Sequence, residues 1–190
     1  MFRLSIKFVL IGLLLIFSEI GKASDSLAHE NVLHIIRATD VQKFWDYHFI
    51  QNNIAIEPDK TYRLSFVAKA SAPTQLIASA KIAQPPWKNL DLNQKVPVDT
   101  EWERFVFDFS GDGAVPNKTR LSFILADTQP VEVWLDEVSI VAIDTPDGEG
   151  INILSNSDFE NGLDDWEVKG KQGEAFQVEI QFLDDSSSKP

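Results

Sequence analysis

Along most of this chain, apolar and polar residues alternate one by one. Residues 61–68 (TYRLSFVA) put Tyr62, Leu64 and Phe66 on one side and Arg63, Ser65 and Val67 on the other. Residues 102–109 alternate Phe105, Phe107 and Phe109 with Arg104, Val106 and Asp108. Leu121, Phe123 and Leu125 share a face, and so do Val131, Val133 and Leu135. A period of two sends successive side chains to opposite faces, so each run is a strand with one face buried. Turn signals separate the runs: Glu57-Pro58-Asp59, Ala72-Pro73, Gln84-Pro85-Pro86, Gly111-Asp112-Gly113, Val115-Pro116-Asn117 and Gln129-Pro130. Their spacing of roughly ten to fifteen residues is that of an all-β sandwich. No helical periodicity is sustained beyond the first 23 residues, and a jelly-roll-like β-sandwich is expected.

Residues 1–23 read as a secretory signal peptide. Arg3 and Lys7 make the start positive, residues 8–17 form the apolar run, and Gly21-Lys22-Ala23 supplies small residues for cleavage. The run is too short for a membrane span. A secreted or periplasmic protein follows, with no integral span in the mature chain. There is no cysteine, so the domain must be held by its core or by a bound ion. The remaining residues suffice for one well-buried domain and are too few for two. We divide them into a domain over 24–183, with a linker at 144–150, and a polar tail at 184–190. The whole chain carries −12; removing three cations and one carboxylate with the first 23 residues leaves −14. So acidic a surface repels phosphate backbones and anionic lipid, which argues against nucleic acid and for a neutral or cationic ligand.

Catalytic signals are sparse. The chain has three histidines, no cysteine and no Gly-x-Ser-x-Gly elbow, and carboxylates are so frequent that a chance pair means nothing. A non-enzyme is expected. The five tryptophans say more, because an exposed indole stacks on the C–H face of a sugar ring while nearby polar groups bond its hydroxyls. Trp102 starts a strand of inward phenylalanines and reads as core. Trp134 has the opposite parity to its apolar neighbours, which puts it on the far side of the sheet or in solvent. Trp166 follows a glycine turn and reads as packing. Trp87 lies in a Pro-Pro-Trp-Lys-Asn loop with no strand to bury it, so binding and loop packing both stay open. Trp45, in Phe44-Trp45-Asp46-Tyr47-His48-Phe49, is equally open; if Phe49 points inward, Asp46 and His48 face the opposite side. Stacking candidates are therefore Trp45 and Trp87. Strand parity and closeness to loops add His48, Lys81, Gln84 and Asp127 as polar candidates.

The motif order resembles the jelly-roll carbohydrate-binding modules of families 4, 9 and 22, a galactose-binding-like sandwich. Trp45-Asp46 is followed by Lys60-Thr61-Tyr62-Arg63-Leu64-Ser65-Phe66-Val67-Ala68-Lys69-Ala70, then Pro86-Trp87, residues 102–109, and Val133-Trp134-Leu135-Asp136-Glu137-Val138. The resemblance covers residues 32–143 and, separately, 151–182. The Tyr-x-x-Ser-Phe-x-Ala-Lys-Ala string is its most specific part. Asp59 departs from the pattern, which usually has glycine there. The resemblance implies non-catalytic binding of a polysaccharide or oligosaccharide, such as a β-glucan or xylan, in a groove on one sheet. It also implies a structural calcium ion, with Asp136 and Glu160 as carried-over ligands; carboxylates and carbonyls suit such a hard cation.

The larger departure is one of order. The family's opening segment, an apolar stretch with Asn-x-Asp-Phe-Glu and a later tryptophan, is missing from the start and follows the closing strand as residues 152–166. A circularly permuted sandwich accounts for this, with residues 151–154 entering a vacant slot beside the final strand and 175–182 adding another strand. As a stub of a truncated second module, the segment would expose Ile153, Leu154, Phe159, Leu163, Trp166, Phe176, Val178 and Ile180, an aggregation hazard. A domain-swapped dimer could use the same contacts. The alternatives to sugar binding are an extracellular structural or protein-interaction sandwich and a small hydrolase or lyase on the same fold.

Overall fold

The computed structural model describes residues 31–39, 43, 47–143, 150–170 and 176–183. The expected signal peptide, Trp45, most of the linker and the polar tail lie outside these residues. Among the described residues there are ten strands: β1 (Asn31–Arg37), β2 (His48–Ile54), β3 (Thr61–Ala70), β4 (Thr74–Ile82), β5 (Asn89–Val98), β6 (Glu103–Ser110), β7 (Thr119–Leu125), β8 (Val131–Ala142), β9 (Trp166–Lys169) and β10 (Phe176–Phe182). Sheet one has the order β10-β1-β8-β3-β6, and sheet two β5-β4-β7-β2-β9. All eight strand pairings are antiparallel. This is the all-β sandwich that the alternation predicts. Among the described residues no helix is long and apolar enough to cross a membrane.

The inner faces follow the alternation. Leu33, Ile35, Leu64, Phe66, Phe105, Val133 and Leu135 of sheet one meet Phe49, Leu76, Ala78, Leu121, Phe123 and Leu125 of sheet two in one core cluster. Phe66 and Phe123 touch edge to face across the layers, with ring centroids 5.2 Å apart. Four buried aliphatic residues stand outside that cluster: Val32 and Val67 on sheet one, Ile50 and Ile124 on sheet two. Their parity places them on the outer faces. At the turn before β3, Asp59 adopts a left-handed conformation (φ 67°), open to aspartate, which explains how it replaces glycine. Gly111 is needed for a close approach: a Cβ there would lie 2.1 Å from the Glu57 carbonyl oxygen.

The last strands belong to both layers. β9 pairs with β2 at the edge of sheet two, and β10 pairs with β1 at the edge of sheet one. Between them and β8, the chain follows the second half of β8. The Gly150 and Ile153 amides donate to the carbonyls of Ala142 and Ile140, and the Val138 amide donates to Ser157. The Asn152 side chain accepts from the Ile140 and Leu154 amides. Gln51 clasps Ser155, donating to its carbonyl at 2.7 Å and accepting from its amide at 2.9 Å. Phe159 is fully buried, and Trp166 stacks on Phe49 at 4.6 Å. All eight apolar side chains of the hazard set belong to the core or pack on it. Ile151 differs. It is 89 % exposed, because residues 150–153 bond to β8 without forming a strand.

Trp102 corrects the sequence reading. It shares the parity of Arg104, Val106 and Asp108, not of the phenylalanines, and so joins the outer face of sheet one. There Lys69 Nζ lies 5.1 Å from the Trp102 ring and 5.2 Å from the Trp134 ring. His34 stacks on Trp134 at 4.6 Å, with Glu132 and Glu179 within 2.9 and 3.2 Å of its two ring nitrogens. The Trp134 indole N–H donates to Gln181.

Candidate functional site

The outer face of sheet two is built on three central strands. Phe49, Phe123 and Ala78 are register partners and point inward. Their neighbours Ile50, Ser122 and Ser79 therefore point outward in a single row, which Glu167 of β9 and Asn93 of β5 extend at its two ends. One row away on the same face, Arg120 and Lys81 are cross-strand partners. At the other end lie Ile124 and Ile77, partners of each other, and His48.

The middle row is unusual for an outer face. Ser122 is 0 % exposed and Ser79 1 %, and neither hydroxyl makes a hydrogen bond among the described residues. A buried hydroxyl without a partner forfeits about 1–3 kcal/mol. Two of them side by side, with buried Ile50 and Ile124 around them, form a desolvated floor that is closed to solvent, and so to a ligand, as the structure stands.

Trp87 overlooks one end. The turn closes when its amide donates to the Gln84 carbonyl at 2.8 Å. Trp87 has φ 57° and is 50 % exposed, with its ring 5.4 Å from the Arg120 guanidinium. A bulky residue held left-handed costs about 1–3 kcal/mol and is typical of ligand clamps. Burial pulls the Lys81 ammonium below its ordinary pKa, and neighbouring Arg120 adds to the fall. Burial also lowers Arg120, against the opposing effect of Glu167. Glu167 accepts from Asn52 Nδ2 at 2.9 Å and is bonded to Lys169.

Of the sequence candidates, Lys81, Gln84 and Trp87 share this end of the sheet. His48 lies on the same face but at its far end, opposite Lys169. Asp127 is not brought together with them. Its carboxylate accepts from Thr74 Oγ1 and the Gln75 amide, and its carbonyl accepts from Arg37, so it ties the opposite end of β4 to β7. Trp45 is outside the described residues. Sequence reasoning missed Arg120, Ser79 and Ser122. Their parity against Phe123 and Ala78 was the available signal, but small residues on a buried outer face look like core filler.

Asp136 is buried, and its Oδ1 accepts from the Glu137 amide at 2.6 Å. Glu160 Oε2 accepts from Asn31 Nδ2 at 3.0 Å. Asn31 stands two residues before Leu33, whose partner Leu135 precedes Asp136, so both carboxylates belong to the same end of the β1–β8 pair. Among the described residues no three His, Cys, Asp or Glu side chains are grouped as a metal site. Calcium there would need carbonyl oxygens as well.

A sandwich of two five-stranded antiparallel sheets is the architecture of the carbohydrate-binding modules among the similar solved structures. The family model described as carbohydrate binding domain, of the 4/9 type, matches residues 20–130, and the chain belongs to that family. Among solved structures, the apo carbohydrate-binding module of PbXyn10C is 22 % identical, covering 81 % of this chain and 89 % of its own, with a TM-score of 0.59. A CBM4 domain is 25 % identical over 58 % of this chain and 70 % of its own, with a TM-score of 0.54. The N-terminal cellulose-binding domain of β-1,4-glucanase C from Cellulomonas fimi is 19 % identical over 60 % and 78 %, with a TM-score of 0.51. None of the curated proteins matches the chain.

Proposed function

We propose that this is an exported, non-catalytic polysaccharide-binding protein whose sugar lies on the outer face of sheet two. The observation that carries this reading is the half-exposed Trp87 ring, held in a left-handed turn at one end of that face beside Arg120 and Lys81. A sugar ring stacks on the indole, and its hydroxyls bond the flanking polar side chains. A β-glucan or a xylan is the substrate class; the cellulose-binding domain among the similar structures supports the former. Residues 1–23 act as the export signal. Residues 151–182 are the displaced opening of a permuted module, acting within one chain or by exchange in a domain-swapped dimer. Calcium, held by Asp136 and Glu160 with backbone carbonyls, is structural.

Affinity electrophoresis on a panel of soluble β-glucans and xylans tests the reading. Retardation by at least one glycan is expected, weakened about tenfold or more by Trp87→Ala, since a stacked aromatic contributes about 0.5–1.5 kcal/mol beyond its buried area. No retardation by any glycan, with or without calcium, sinks it. For the ion, millimolar calcium should raise the thermal midpoint of the native chain, and Asp136→Asn should abolish that rise. A midpoint indifferent to calcium and chelator removes the metal.

A further inference from the structure

The charge of the candidate face runs against that of the molecule. The whole chain carries −12. Yet the outward strand positions of sheet two hold Lys81, Lys95, Arg120 and Lys169 against Asp91 and Glu167, with His48 beside them. Lys81 and Arg120 are adjacent cross-strand partners, an arrangement that like charges disfavour. Among the described residues neither forms an ion pair with a carboxylate. Glu167, the acid that acts on Arg120, is already bonded to Asn52 and Lys169. Arg120 Nε is buried and has no hydrogen-bond partner among the described residues, while the Trp87 ring lies against its guanidinium.

Resting on the carbohydrate-binding reading, we propose that the bound polysaccharide carries carboxylates, with a uronic acid residue held between Arg120, Lys81 and Trp87. A guanidinium braced by an indole is a planar fork, and a carboxylate is the planar acceptor that matches it. The same anion neutralises Lys81 and relieves the repulsion between the two cations. Neutral hydroxyls would leave two desolvated like charges unbalanced. Burial already disfavours both cations, as the lowered pKa of each group indicates. A polynucleotide could also bring anions, but the acidity of the rest of the molecule opposes a long, uniformly charged chain.

The test is isothermal titration of the full-length mature protein with a glucuronic-acid-substituted xylan and with the same xylan after reduction of its carboxyl groups. The acidic form should bind at least tenfold more tightly, and raising the salt from 50 to 500 mM should narrow the gap. Arg120→Gln and, separately, Lys81→Gln should bring the ratio of the two affinities close to one, with thermal unfolding used to confirm that each variant is folded. Equal binding of the two forms by the native protein overturns the carboxylate assignment and leaves carbohydrate binding standing. Binding of neither form, together with no retardation by any other glycan, overturns both readings.

Discussion

Phe159 has no solvent exposure and sits against Phe49 and Trp166, with ring centroids 6.2 and 5.6 Å away. Phe159→Ala should therefore cost about 3–5 kcal/mol, since both the transfer term and a cavity are lost. Urea unfolding checks this; a loss below 1 kcal/mol would mean that the segment is only loosely docked. Gln51 is a polar counterpart, because both ends of its amide are used by Ser155. Truncation to alanine leaves a donor and an acceptor without partners and should cost about 2–3 kcal/mol. On the surface, Arg63 bonds both oxygens of Asp108, at 2.7 and 2.9 Å, and holds its carboxyl below the usual carboxylate range. A depressed folded pKa adds stability that is present above the unfolded value, near 4, and is lost as pH falls through the folded one. The pair is exposed, so its effect is small. Asp108→Asn should lower the urea midpoint slightly at pH 6, and native and variant midpoints should converge near pH 2. A gap that persists there would point to packing, not charge.

At the scale of elements, β9 and β10 decide whether the rest can stand. They cover the free edges of β2 and β1 and bring Phe159, Trp166 and Phe176 to the core. A chain ending at Ile143 would bare those edges and the apolar floor beneath them. It should be insoluble or unfold without cooperativity. Full-length Ile180→Asp offers a milder form of the same test, since Ile180 packs on the core from β10. It should raise proteolytic susceptibility near β10 while leaving the rest folded. A soluble, cooperatively unfolding 1–143 fragment would count against any structural need for the segment. The strands with clean alternation, β3, β6 and β8, were legible in the sequence because one face meets the core and the other meets water. Trp102 was misread because proximity to phenylalanines weighed more than its own parity. The serine floor was hidden for a different reason. Ser79 and Ser122 are flanked by apolar residues on both sides, so periodicity does not separate a desolvated outer face from an inner one. Asp127 looked available from its loop position, yet its carboxylate is occupied by the start of β4.

For the whole molecule, the pairing of the first and last described strands of the chain makes the proposed permutation directly testable. β10 runs antiparallel to β1, and Asn31 is the register partner of Phe182. The end of β10 therefore lies one strand spacing from the start of β1, where a two-residue Asn-Gly turn would close a hairpin. Cutting the chain between Ile143 and Gly150 separates residues whose neighbours are already bonded, Gly150 N to Ala142 O at 2.8 Å. A rearranged chain that starts at Gly150, runs to Phe182, passes through Asn-Gly into Asn31 and ends at Ile143 keeps all eight strand pairings. Only loop-closure terms change, and these vary slowly with length, by about 0.6 kcal/mol per doubling. The rearranged protein should thus show the same β-sheet circular dichroism, a thermal midpoint within a few degrees of the natural order, and the same glycan retardation. If it aggregates while the natural order folds, order along the chain matters beyond the pairings, and residues 151–182 are not a displaced opening segment. If it folds but loses glycan binding, the segment that joins β1 to β2, absent from neither order, cannot be the cause, and the new termini beside β8 would have to disturb the outer face of sheet two through the core.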